Sequence, residues 1–359
     1  MSLLIIGTGL IGTSLALALD DPEDVLLADR SALHRERAVA RGAGRAWDGR
    51  EPVDHAVLAL PPRHIAGELQ RLQGLRVSRT YSHVASAQAL VQAEVETLNC
   101  DTAMLCGTHP MAGRERSGPE AATAELFVGR PWALCPSSTT STQALEAARS
   151  VAERCGAVPV VLPADEHDAA VALVSHLPQV AASAVAAVLL GAAQTASGLD
   201  PVALAGPGLQ DTTRIAASDA GLWVDVLQQN AAAVAPLVRA LAAELYTAAA
   251  ALQQLADGTG GASVVEDLLR RGAAGRSRVP VKRGEHDGAF ASVVVDVSDE
   301  PGQLAGVLVS AAAAGINVED VRVEHLAGRP RGVIELLVQA PTREQAQRAL
   351  AAAGWAVVR

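Results

Sequence analysis

Short apolar runs alternate with Ala-rich stretches of helical period over residues 1–163. Residues 3–6, 25–28, 56–60, 132–135 and 158–162 are unbroken runs rich in Leu, Ile, Val and Ala, the pattern of strands buried on both faces. The helical stretches between them predict βαβ units, a parallel sheet with helices on both faces. From residue 165 to about 254 the strand signals vanish. Long Ala/Leu/Val stretches take over, broken at Pro178, around 205–208 and at Pro236, and predict an all-helical second domain. Residues 257–289 collect glycines and basic side chains, Arg270, Arg271, Arg276, Arg278, Lys282 and Arg283 among them, and read as a linker. Beyond it the pattern predicts a strand at 292–297, a helix at 303–314, strands at 316–323 and 333–338, a helix at 342–353 and a short strand at 355–358. That β-α-β-β-α-β order is the ferredoxin-like one. The chain is thus expected to be α/β, divided at 1–163, 164–256, 257–289 and 290–359.

Composition narrows the function. Twenty-nine Lys and Arg against 39 Asp and Glu give a net charge of −10 over 359 residues, which disfavours nucleic acid and anionic membranes as partners. Half of the residues are hydrophobic and only 2% aromatic, so Ala, Val and Leu build the core. Lys282 is the single lysine, which argues against lysine catalysis in the body of the chain. Cys100, Cys106, Cys135 and Cys155 show no regular spacing, so reduced thiols in a cytoplasmic protein are expected rather than disulfides or zinc. No metal-ligand cluster is visible. The first apolar run has no basic segment before it, and no secretory leader is expected. The stretch between Asp168 and Asp200 lacks charge but holds His176, Pro178, Gln179 and Gln194. It reads as a helix buried at a subunit or domain interface rather than a membrane span.

Gly7-Thr8-Gly9-Leu10-Ile11-Gly12 is a G-x-G-x-x-G that follows an apolar strand and opens a helical run, the context of a Rossmann dinucleotide site. Gly7 permits the tight turn, Gly9 lets backbone approach a pyrophosphate, and Gly12 lets helix pack on strand. The second strand leads into Asp29, placed to accept hydrogen bonds from ribose hydroxyls and to repel a 2′-phosphate. NAD is therefore expected over NADP, although neighbouring Arg30 can tolerate the phosphate. Leu60 and Pro61 end the next clear strand and are expected to shape the nicotinamide side of the cleft.

The stretch 107–113, Gly-Thr-His-Pro-Met-Ala-Gly, follows the apolar residues 103–106. It reads as a loop beyond a strand C-terminus, where ligands bind in open α/β sheets. His109 in such a loop suits a general base, or else makes a structural hydrogen bond. Arg214, in a mostly apolar helical domain, needs a partner: a substrate carboxylate held by a bidentate fork, or an internal pairing with Asp211 or Asp219. His176, a lone histidine in an uncharged stretch, reads first as a satisfied core residue.

Taken together and in order, the glycine motif, 107–113, Glu166-His167-Asp168, Ser175-His176-Leu177-Pro178 and 206–216 resemble the prephenate/arogenate dehydrogenases of tyrosine biosynthesis, over roughly residues 3–254. The tail resembles an ACT domain, with Asp299-Glu300-Pro301-Gly302 before its first helix and Gly315-Ile316-Asn317-Val318 entering its second strand. The resemblance implies NAD-dependent oxidative decarboxylation of prephenate to 4-hydroxyphenylpyruvate, or of arogenate to tyrosine. By it, His109 takes the proton of the ring hydroxyl and Arg214 binds a carboxylate. His176 and Gln179 line the pocket, and Ser86 hydrogen-bonds near histidine and substrate. Asp299, Pro301, Gly302 and Asn317 would bind tyrosine or phenylalanine as effector, and the uncharged helices would pair in a homodimer. The sequence departs from the family at His83, often Asp, at Gln88, often Lys, and at Gln179, often a second histidine. These departures bear on the choice between the keto group of prephenate and the ammonium of arogenate. An inactive dinucleotide- and amino-acid-binding sensor is the non-enzymatic alternative. β-Hydroxyacid dehydrogenases share the layout but use a lysine in the helical domain, which this chain lacks.

Overall fold

The computed structural model describes residues 1–19, 21–113, 116–191, 198–279, 290–325 and 330–358. Backbone contacts divide it into two units, residues 1–246 and 247–359.

The first unit is built on eight strands: β1 (Leu3–Ile6), β2 (Val25–Ala28), β3 (Arg45–Ala46), β4 (Val53–Leu58), β5 (Ser78–His83), β6 (Leu105–Pro110), β7 (Pro131–Cys135) and β8 (Val158–Val161). They lie in the order β3-β2-β1-β4-β5-β6-β7-β8. Helices α1 (Leu10–Leu17), α2 (Ala32–Ala40), α3 (Ile65–Gly74), α4 (Ala89–Thr97) and α5 (Thr142–Arg154) connect them. Two apolar clusters hold the sheet. One gathers Leu3, Ile5, Leu15, Leu27, Val57, Phe127 and Trp132; the other gathers Leu4, Leu26, Leu58, Ile65, Leu69 and Tyr81. Alternate residues of β1 enter opposite clusters, as a central strand covered on both faces must.

The expected parallel sheet needs one correction: β6 and β7 are antiparallel. Among the described residues, the chain between them makes only short 3₁₀ turns, Pro119–Ala121 and Ala124–Phe127. A parallel return needs a longer crossover, usually a helix. β5 carries no hydrophobic run, yet five of its six residues are buried. Its polar groups are bonded internally: Ser78 Oγ donates to the Thr80 carbonyl at 2.9 Å, and Thr80 and Ser82 hydroxyls contact the His55 ring, each at 2.9 Å. Buried polar groups are tolerated on those terms.

After β8 the unit turns all-helical. α6 (Ala164–Val171) runs through a π-helical segment, Ala172–His176, into α7 (Leu177–Leu189). α8 (Pro207–Thr213), a 3₁₀ turn at Arg214–Ala217, α9 (Ala220–Gln229) and α10 (Ala231–Ala256) follow, α10 running on past residue 246 into the second unit. The breaks predicted at Pro178 and Pro236 are absent. Pro178 occupies the first turn of α7, where its missing N–H costs nothing. Pro236 sits inside a continuous α10. The stretches Ala164–Leu189 and Ala231–Ala256 are long and apolar enough to cross a membrane by length and composition alone. Val174, Val188, Leu204, Leu222 and Val224 are exposed.

In the second unit, α11 (Ala262–Arg276) forms where a linker is expected. Asp267 pairs with Arg270 and Arg271 one turn on, a helical spacing that glycine and charge content alone do not reveal. Residues 280–289, Lys282 among them, lie outside the described part. β9 (Phe290–Ser298), α12 (Gln303–Ala313), β10 (Val318–His325), β11 (Arg331–Gln339), α13 (Arg343–Ala352) and β12 (Ala356–Val358) reproduce the expected β-α-β-β-α-β order. The sheet is antiparallel, in the order β10-β11-β9-β12. Val293, Val295, Leu336, Val307 and Leu350 close its core.

Candidate active site

The turn after β1 is shaped by steric need. Gly7 has φ +100°, and a Cβ there would meet the Ala59 carbonyl oxygen at 2.2 Å. A Cβ on Gly12 would lie 1.9 Å from the Gly7 carbonyl oxygen, so α1 can start beside the strand only with glycine at both places. Gly9 is different: nothing stands within 4 Å of where its Cβ would be. Gly9 caps α1 without a side-chain hydrogen bond, which leaves backbone N–H groups at the helix start for an anion. The cradle fits a dinucleotide pyrophosphate. Leu60 packs close to Gly7, while Arg30 and Pro61 are exposed. Asp29 has a second duty that the sequence does not reveal. Its Oδ2 accepts from Thr8 N at 2.7 Å and Thr8 Oγ1 at 3.0 Å, and its Oδ1 accepts from Ser31 N at 2.8 Å. The carboxylate thus fixes the glycine turn itself.

His109 lies within β6, paired with Ala133 of β7, and not on a loop beyond a strand. Gly107 and Pro110 look like turn signals, but Gly107 serves packing: a Cβ would meet Gln88 Oε1 at 2.5 Å. The ring of His109 is half-buried, and its Nδ1 stands 2.9 Å from His167 Nε2. His167 Nδ1 stands 2.8 Å from Asp168 Oδ1. Asp168 also accepts from the backbone of Gln88 at 2.8 Å and of Ala89 at 2.9 Å, so it anchors the start of α4 as well as the histidine pair. Burial pushes the His109 imidazole down to about 3, helped by His167 and His176 and opposed by Asp168. It is neutral at pH 7, and among the described residues its Nε2 has no hydrogen-bond partner. Burial works against the Asp168 carboxylate, but the His167 hydrogen bond and the two amides outweigh it and hold its pKa below the usual range.

The helical part joins this chain. Asn230 Nδ2 donates to the Asp168 carbonyl at 2.7 Å and lies 3.2 Å from His176 Nδ1. His176, the last residue of the π-helical segment, is 1% exposed and sits edge-on to Trp223 with ring centroids 6.0 Å apart. π-Bulges recur at functional sites. Gln179, one turn further, is buried and donates from Nε2 to the Ile215 carbonyl at 3.0 Å. That bond ties α7 to the turn carrying Arg214, whose side chain is exposed. His109 and His176 are therefore linked through His167, Asp168 and Asn230, with Gln179 joined to the turn of Arg214.

Comparison with known proteins fits this layout. The family description "Prephenate dehydrogenase, nucleotide-binding domain" matches residues 16–161, and "Prephenate dehydrogenase, dimerization domain" matches 163–259. A probable prephenate dehydrogenase of Streptomyces niveus, NovF, is 37% identical over 341 residues, 93% of each chain. The chain belongs to the prephenate dehydrogenase family. A cyclohexadienyl dehydrogenase of Zymomonas mobilis is 32% identical over 253 residues, 67% of this chain and 85% of that one. In fold, the chain is similar to the prephenate dehydrogenase of Aquifex aeolicus, solved with hydroxyphenyl propionate and NAD+. The TM-score is 0.67 at 24% identity, over 78% of this chain and 99% of that one.

Within this family framework, the departures at His83 and Gln88 have a structural explanation. Both side chains are 2% exposed. Gln88 Nε2 donates to the carbonyls of Ala85 and Thr108 at 2.7 and 3.1 Å. His83 Nδ1 accepts from Ala85 N at 3.3 Å. They brace the turn between β5 and α4 against β6, and that turn carries half-buried Ser86. The sequence-based site omits His167, Asp168 and Asn230. Glu166-His167-Asp168 is the sequence signal for the first two, and Asn230 has none, because the other groups that these three hold lie 54 to 80 residues away along the chain. Asp299, Pro301, Gly302 and Asn317 lie in the second unit, where Gly302 caps α12 with φ +94° and Asn317 donates to Glu319 at 2.6 Å.

Proposed function

We propose that this chain carries out NAD-dependent oxidative decarboxylation of prephenate to 4-hydroxyphenylpyruvate. One observation carries the reading beyond family membership: a neutral, partly accessible His109 backed by a second histidine and a carboxylate. Gly7, Gly9 and Gly12 would hold the cofactor pyrophosphate, with Leu10 and Ile11 at the helix start, Leu60 and Pro61 beside the turn, and Asp29 and Arg30 toward the ribose. Bound NAD supplies the acceptor for the hydride. His109 accepts the ring hydroxyl proton as that carbon is oxidised. Loss of CO2 then aromatises the ring. Arg214 would clamp a carboxylate, His176 and Gln179 would line the pocket, and Ser86 would hydrogen-bond beside His109.

Gln179 supports a second reading, arogenate as substrate. The Ile215 carbonyl can only accept, so the Gln179 amide nitrogen must face it. The remaining Oε1 is an acceptor, suited to an ammonium. We further propose that the second unit is an ACT domain, on its β-α-β-β-α-β order and sheet order, binding tyrosine or phenylalanine near Asp299, Pro301, Gly302 and Asn317. The exposed apolar side chains of the helical part support a homodimer, and four free thiols support a cytoplasmic setting. NADH formation with purified protein, NAD and either prephenate or arogenate, with and without tyrosine, tests these readings. Turnover of neither substrate despite NAD binding would replace them with the sensor.

A further inference from the structure

We propose that His167 is the second station of a proton relay, and that the atom of His109 which takes the substrate proton is Nε2. This rests on His109 being the base of the proposed reaction. The Asp168 carboxylate already accepts two backbone N–H bonds, from Gln88 and Ala89. A carboxylate so held is an acceptor only, so the 2.8 Å contact with His167 is a bond donated by His167 Nδ1–H. A neutral His167 then has its lone pair on Nε2, and the 2.9 Å contact there is a bond donated by His109 Nδ1–H. The lone pair of His109 is left on Nε2. Each tautomer is dictated by the next group along the chain, back to a carboxylate fixed by the start of α4.

The proton balance closes. The substrate O–H bond breaks and its proton joins His109 Nε2, while the ring C–H electron pair leaves to the nicotinamide. The His109 Nδ1 proton moves to His167 Nε2, and His167, protonated on both nitrogens, pairs with Asp168. When CO2 leaves, its bonding electrons enter the ring and the substrate oxygen becomes phenolate. The relay runs backward, and the same oxygen regains a proton. No proton is released to solvent, and the positive charge rests meanwhile beside a carboxylate rather than on His109. Among the described residues, the other titratable groups facing His109 are His83 and His176. Burial holds both imidazoles below their ordinary range, so neither competes for the proton.

Two measurements test this. The first is the ¹⁵N NMR spectrum of histidine-labelled wild-type protein at pH 8, with the His109 signals identified by their absence from His109→Asn. The expected result is a His109 protonated on Nδ1 and bare on Nε2; protonation on Nε2 overturns the relay. The second is His167→Gln, whose side-chain oxygen can still accept from His109 but cannot take a proton. Its kcat for prephenate should fall roughly 10²-fold, the low end for loss of a proton-transfer group, with KM for prephenate and NAD unchanged. A kcat within about threefold of wild type overturns the relay. If His167→Gln does not fold, the tautomer decides alone. If wild-type protein oxidises neither prephenate nor arogenate, the functional reading fails separately, and the tautomer still decides the hydrogen-bond chain.

Discussion

Arg214 shows how far a single residue was legible. Its charge in an apolar segment marks it, and the structure places it on a short turn tied to Gln179 through the neighbouring Ile215 carbonyl. Arg214→Ala should raise KM for prephenate roughly 10- to 100-fold with a smaller change in kcat, the scale of losing a charged hydrogen bond. Steady-state kinetics checks this; an unchanged KM would remove Arg214 from the substrate site. Gly7 and Gly12 were also legible, because a G-x-G-x-x-G has steric meaning that the 2.2 and 1.9 Å approaches bear out. The opposite case is Asp168. The imidazole it holds belongs to its neighbour His167, but the sequence says nothing of the two amides, which come from Gln88 and Ala89, 80 and 79 residues away.

Among the elements of the first unit, the strands found from sequence were those with apolar runs, β1, β2, β4, β7 and β8. β5 escaped because its burial is satisfied by hydrogen bonds, and β6 runs on to Pro110, past its expected end at Cys106, because Gly107 and Pro110 imitate a turn. The same polar β5 predicts a pH effect. His55 is fully buried against Thr80 and Ser82, and burial pushes its pKa from 6.5 down to about 3. Between those values the unfolded chain binds the extra proton. Stability is complete above about pH 6.5 and falls as pH drops toward 3, by up to about 1.4 kcal/mol per pH unit from this group. Urea unfolding at pH 7.5 and 5 should show a steeper loss for wild type than for His55→Asn. Equal losses would contradict this account of β5.

At the scale of the molecule, the dinucleotide sheet, the helical part and the C-terminal β-α-β-β-α-β unit were all foreseeable from hydropathy period. The helix at Ala262–Arg276 was not, because glycine and arginine hid its i,i+3 and i,i+4 pairs. The exposed apolar residues of the helical part predict sedimentation at twice the mass of one chain at micromolar concentration. A stable monomer would contradict the pairing. In the proposed reaction, a nucleotide-binding sheet presents His109 for oxidation coupled to loss of CO2. Its most direct test is CO2 released per NADH formed from prephenate, in wild type and His109→Asn. The account predicts one CO2 per NADH in wild type, and a rate reduced roughly 10²–10⁴-fold in the variant with NAD binding kept. NADH formed without CO2, or full turnover by His109→Asn, would contradict it.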